Sequence, residues 1–217
     1  MTTSRTIAAA VALTAASLAL SGCITLFPKA TPVQLYRFGD EASAAGAKAG
    51  AEGAVFNLQR SAIAFDRAAQ SDAILTTNGT ETAYLAGSRW VAPAVILFDE
   101  AVDRAFNATG GPAHLVPRGE MGSAGASLKL DVETFEARYS GGKDAAPTVV
   151  VRVHGLLVRS SDRSVLADKL FDVAKPAETN RVSAIVHAYD DATTDVIGQI
   201  VAWTEVQGEP TATPAAR

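Results

Sequence analysis

The chain has 217 residues, 48% of them hydrophobic, with 19 basic and 23 acidic side chains, a formal net charge of −4 and one cysteine. No basic cluster longer than a pair occurs, so neither a nucleic-acid face nor a polybasic membrane patch is expected. A lone cysteine excludes an internal disulfide framework, and stability must come from packing.

That cysteine closes the first element. Arg5 gives a short positive start, Ile7 to Leu20 is an uncharged apolar run, and Leu20, Ser21 and Gly22 stand directly before Cys23. The run is too short for a bilayer span, which needs about 20 apolar residues. It suits the core of a secretory signal, and the small residues suit a peptidase that binds extended backbone. Residues 1–22 are therefore expected to be removed, with Cys23 acylated as the new N-terminus. Acylation would also dispose of an unpaired thiol in an oxidising compartment. The remaining 195 residues carry 18 basic and 23 acidic side chains, a net −5, and are long enough for one domain with a real core.

Residues 23–32 form a short lipidated tether punctuated by Pro28 and Pro32, reaching roughly 30 Å at about 3.3 Å per residue. Val33 to Phe38 alternates as a first strand. Asp40 to Gly53 is rich in Ala, Gly and Ser and reads as a flexible loop. Ala54 to Leu58 and Ser61 to Phe65 predict a strand and its continuation. Ala73 to Thr77, ending in Asn78-Gly79, predicts a hairpin with Thr82 to Trp90 as the return strand.

Pro93 suits the first turn of a helix, and Val95, Phe98, Val102 and Phe106 follow at helical spacing until Gly110-Gly111 ends it. The passage from Gly110 to Gly125 is loop with a short strand at His114 to Val116. Leu128 to Val132 alternates, then slips phase at Thr134 to Phe135 as a β-bulge would. Thr148 to Val158 and Val165 to Val173 complete an antiparallel meander, with turns at Gly141-Gly142 and Ser160 to Arg163. Thr179 or Asn180 can cap a last helix in which Val182, Ile185, Tyr189, Val196, Ile200 and Trp203 keep helical spacing. The domain is thus expected over residues 33–206, with 207–217 a disordered tail. The fold class is α+β: a mixed or antiparallel sheet with two amphipathic helices packed on one face, in a single domain.

Catalytic patterns are missing. His114, His154 and His187 have no metal-ligand spacing, and Ser123 lacks the glycine two residues before it that a nucleophile elbow requires. Asp190, Asp191 and Asp195 are expected on the solvent side of the last helix. No metal, cofactor or catalytic residue is assigned. Tyr84, Arg89 and Trp90 form the conspicuous polar-aromatic group, either a structural corner filled by Trp90 beside an exposed Arg89 or a partner-binding edge.

The lipobox, Val33 to Phe38, the Tyr84-Leu85-Ala86-Gly87-Ser88-Arg89-Trp90 stretch leading into Pro93 and its helix, the Leu128 to Tyr139 strand, and the closing Ile200-Val201-Ala202-Trp203 together resemble the ABC-type transport auxiliary lipoproteins, the paraquat-inducible protein C-like family. The Ala/Gly insert at 41–53 and the extended tail are peculiar to this chain. The resemblance implies a non-enzymatic accessory of an ABC lipid transporter, comprising a permease and an ATPase, with a mammalian-cell-entry type protein as partner. It implies a place on the periplasmic face of the outer membrane, with which Ile24 after the cysteine is compatible, and allows a ring of copies. A lipid carrier with an internal apolar cavity is the alternative, and a hydrolase built from scattered residues a third reading.

Overall fold

Alternating apolar residues set the spine of the sheet. In the computed structural model, which describes residues 32–40, 55–116, 124–142 and 144–208, strand β7 (Ala126–Tyr139) buries Ala126, Leu128, Leu130, Val132, Phe135 and Ala137. Along one edge it pairs antiparallel with β8 (Thr148–Arg159), which pairs antiparallel with β9 (Val165–Pro176). Along the other edge three shorter strands follow in chain order, all parallel to it: β2 (Phe56–Arg60), β3 (Ala64–Phe65) and the end of β4 (Ala73–Asn78). A short strand β6 (Ala113–Val116) adds parallel to β2. On the far side of β4 lie β5 (Glu81–Trp90), antiparallel to it, and β1 (Gln34–Tyr36), parallel to β5. Among the described residues the sheet is mixed and open, with nine strands.

The slip expected in β7 is present. Val132 faces Val153 and Thr134 faces Arg152, so Glu133 is the extra residue. Inserting it lets Val132 and Phe135, three apart, both point to the buried face. At the β4–β5 hairpin the expected element forms, but its centre lies one residue later. Asn78 pairs with Glu81, leaving Gly79 and Thr80 as the two-residue loop, and Gly79 has φ +60°. Gly at the first central position suits a type II′ turn, which follows the right-handed twist of the strands.

Helix α1 (Ala94–Thr109) starts behind Pro93 without a side-chain cap. Its exposed donors are met by the preceding loop instead: Ala94 N–H donates to the Ser71 carbonyl at 2.9 Å and Val95 N–H to that of Gln70 at 3.4 Å. Gly110, left-handed at φ 57°, ends it. Helix α2 (Val182–Gly208) begins two residues after Asn180, whose Oδ1 accepts a hydrogen bond from the Tyr139 hydroxyl at 2.8 Å. It buries Ile185, Tyr189, Val196 and Ile200.

Both helices cover one face, because Phe98 of α1 and Tyr189 of α2 each meet Phe135 of β7. The architecture is the α+β arrangement of the sequence, with parallel pairings that periodicity alone did not indicate. The insert at 41–53 and residues 117–123 lie outside the described residues, as does the expected tail from 209 onward, whereas Gln207 and Gly208, expected in that tail, instead continue α2, where the buried Gly208 packs against Phe56.

Candidate functional site

Leu20, Ser21, Gly22 and Cys23 lie outside the described residues, as does Ser123. The polar-aromatic group on β5 can be placed residue by residue. Between Ala73 and Leu75 the β4–β5 register shifts, so that Ile74 stands against four residues, Leu85 to Ser88. Gly87, at φ +66°, supplies the left-handed step this bulge needs. The strand then resumes with Trp90 N–H on the Asp72 carbonyl at 2.7 Å and Tyr36 in register beside it.

Trp90 is 2% exposed. Its ring meets Phe38 edge-on at 4.9 Å and Tyr189 edge-on at 5.2 Å, while Phe38 and Tyr189 each lean on Phe135 at 5.1 and 4.9 Å. The two edge-on contacts of Trp90 are of the kind aromatic rings favour. The Tyr189 hydroxyl donates to the Leu75 carbonyl at 2.8 Å, and burial pushes its pKa well above the ordinary phenol value. It therefore stays a neutral donor. Trp90 is thus the corner anchor of β1, β5, β7 and α2 rather than a surface contact.

Tyr84 and Arg89 are exposed. Tyr84 donates its hydroxyl to the Ala68 carbonyl at 3.0 Å, and Arg89 Nη1 pairs with Asp72 Oδ1 at 2.8 Å. Only these two members of the group are available to a partner.

Polar groups elsewhere are engaged in structure. Arg60, with 9% of its side chain exposed, bridges β2 to α1 through Asp99 and Asp103, each at 3.0 Å. His154 sits on the sheet face opposite α1 and α2 beside Asp168 at 2.8 Å, and His187 lies in a shallow surface cleft of about 330 Å³ with Glu178 and Asp191. Asp191 and Asp195 are exposed, and Asp195 pairs with Lys175. Asp190 departs from the expected solvent position: half-buried, it accepts the Gly39 N–H. The reason is steric and local. Gly39, at φ +80°, brings its backbone so close to α1 that a Cβ there would stand 2.7 Å from the Cβ of Ala101. Its amide is then directed at α2, and a carboxylate on that helix receives it.

Among the described residues no group of three or more His, Cys, Asp or Glu is placed to hold a metal ion, and no helix is long and apolar enough to cross a membrane.

Residues 36–201 match the family described as the ABC-type transport auxiliary lipoprotein component. The chain belongs to that family. Its structure is similar to the crystal structure of protein XCC0632 from Xanthomonas campestris, at 25% identity and TM-score 0.64, over 84% of this chain and 91% of that one. A likeness of fold also links it to the hypothetical protein CT253 from Chlamydia trachomatis, at 11% identity and TM-score 0.51, over 74% and 100% of the respective chains. Among curated proteins none matches the chain. As an auxiliary lipoprotein component of ABC-type transport, it is a member of a family named for supporting a transporter.

Within the family match, the aromatic corner and the Leu85 to Ser88 bulge are scaffold. Among the described residues, what they leave accessible is the side of the sheet opposite α1 and α2, the edge strands β1 and β9, and the exposed Tyr84 and Arg89.

Proposed function

We propose that this auxiliary lipoprotein is acylated on Cys23, held at the periplasmic face of the outer membrane, and docks a mammalian-cell-entry type protein of an ABC intermembrane lipid transport system without doing chemistry of its own. The observation that carries this reading is the family match across residues 36–201. The apolar run closing on Leu20-Ser21-Gly22-Cys23 supports the anchor. The interior favours docking over lipid carriage: between sheet and helices the space is occupied by Phe38, Phe65, Trp90, Phe98, Phe135 and Tyr189 in ring contact. A carrier would hold its ligand in such a place.

The anchor is part of the function under this reading, because a partner can be held at a membrane only from a fixed point. Several acyl chains at about 0.8 kcal/mol per buried CH2 give a stable one. The expected result is that the tagged wild-type chain, extracted from membranes, brings down a mammalian-cell-entry type protein. Cys23→Ser should move the folded chain to the soluble fraction and abolish transport-dependent growth. A soluble Cys23→Ser protein with full activity, or wild-type protein that recovers no such partner, refutes the reading.

A further inference from the structure

The strand that emerges from the tether has two unlike faces. Phe38 is buried and Tyr36 stands in register beside buried Trp90. On the alternate face of the same strand lie Val33, Leu35 and Arg37. Val33 is 49% exposed and Leu35 is 55% exposed. Leu35 lies in register with Arg89, and Val91, whose N–H donates to the Tyr36 carbonyl at 2.8 Å, extends the exposed surface. Three apolar side chains are thus flanked by two guanidiniums. Arg89 is paired with Asp72 at 2.8 Å, while Arg37 is only loosely paired, at 3.8 Å from Asp40 and 3.9 Å from Glu100.

We propose that this face, Val33, Leu35 and Val91 with Arg37 and Arg89, rests on the lipid surface in which the chain is anchored. The inference rests on the acylation of Cys23 proposed above. Nine residues separate Cys23 from Val33, so the exposed face begins where the tether ends and lies within roughly 30 Å of the acyl chains. Such tethering holds a surface at an effective concentration of order millimolar. A patch too small to bind a membrane unaided can therefore orient the domain on one. Apolar side chains enter the boundary between headgroups and acyl chains, and arginine stems lie along them with the guanidinium at the phosphates. Contact confined to this patch leaves β9 outside it, since β9 is separated from β1 across β5, β4, β7 and β8, about 24 Å along the sheet at about 4.8 Å per strand.

The test places a reporter on each edge. Leu35→Trp and Leu170→Trp replace half-exposed leucines on β1 and β9. Each full-length gene is expressed, and the processed protein is extracted from membranes and reconstituted into phosphatidylethanolamine–phosphatidylglycerol vesicles containing brominated phosphatidylcholine. Relative to the wild-type signal of Trp90 and Trp203, the Leu35→Trp emission should be quenched at least twofold more than that of Leu170→Trp. Equal quenching at the two positions in protein shown by mass spectrometry to be acylated overturns this inference and leaves the anchor standing. A Leu35→Trp side chain shielded from aqueous iodide but not quenched by brominated lipid also overturns it, because a protein surface then covers the face. A Cys23 without acyl chains overturns both.

Discussion

His154 shows how a single side chain on the sheet face opposite α1 and α2 is tuned by its neighbours. The hydrogen bond to Asp168 is the largest influence and raises its pKa above the ordinary imidazole value; desolvation opposes it, and the Asp168, Glu133 and Asp131 charges add smaller upward contributions. A raised folded pKa means the charged imidazolium is favoured in the native state. Its stabilising contribution is complete below the unfolded value, about 6.5, and disappears as pH rises through the higher folded value. An NMR titration of the imidazole should show that raised midpoint, and Asp168→Asn should bring it down. A midpoint indifferent to Asp168→Asn would remove the pairing as the cause. Neither the pair nor the Gly39–Asp190 contact was legible in the sequence. Position 168 lies 14 residues from His154 and Asp190 lies 151 from Gly39, and only chain folding sets such distances.

Among the elements, those with strong local signals formed as periodicity indicates. The α1 stripe, the β7 slip and the β7–β8–β9 meander each depend on near neighbours in sequence. The β4–β5 hairpin shows the resolution of such signals: Asn78-Gly79 marked the turn, yet the loop is Gly79-Thr80. Gly155 is a case where an element relies on a missing side chain. A Cβ there would stand 3.0 Å from Phe171 Cε2 and 3.4 Å from Trp203 Cζ3, so the glycine lets α2 lay Trp203 against Phe171 over β8. Gly155→Leu should lift the C-terminal turns of α2 and cost about 1–3 kcal/mol, the usual range for overpacking. Urea unfolding measures the cost, and a red shift of the Trp203 emission reports the displacement. An unchanged midpoint and spectrum would show that the contact is not tight.

On the scale of the whole molecule, the aromatic corner ties elements from across residues 38–189 into one core. Trp90→Ala should cost about 3–5 kcal/mol, a large share of the 5–15 kcal/mol typical of a domain. Denaturant midpoints read by far-UV circular dichroism should therefore fall for the whole domain together. Loss of partner capture by this variant would follow from unfolding, so Tyr84 and Arg89 are the informative positions for an interface. A Trp90→Ala protein of undiminished stability would restore Trp90 as a surface candidate.

The sequence by itself determined the class of the fold, the extent of the two helices to within a few residues, the bulge in β7 and the family. Each of these is written in spacing, in turn residues or in a pattern of aromatics along the chain. Only the tertiary structure decided that β2, β3 and β4 line up in parallel along one edge of β7, and that β1 pairs with β5 more than fifty residues away. It also decided that Trp90 belongs to the interior while Tyr84 and Arg89 do not. The physical reason is common to all three. Strand pairing partners and the inward direction of a side chain are selected by burial against residues remote in sequence, and local periodicity carries no information about which remote residues those are.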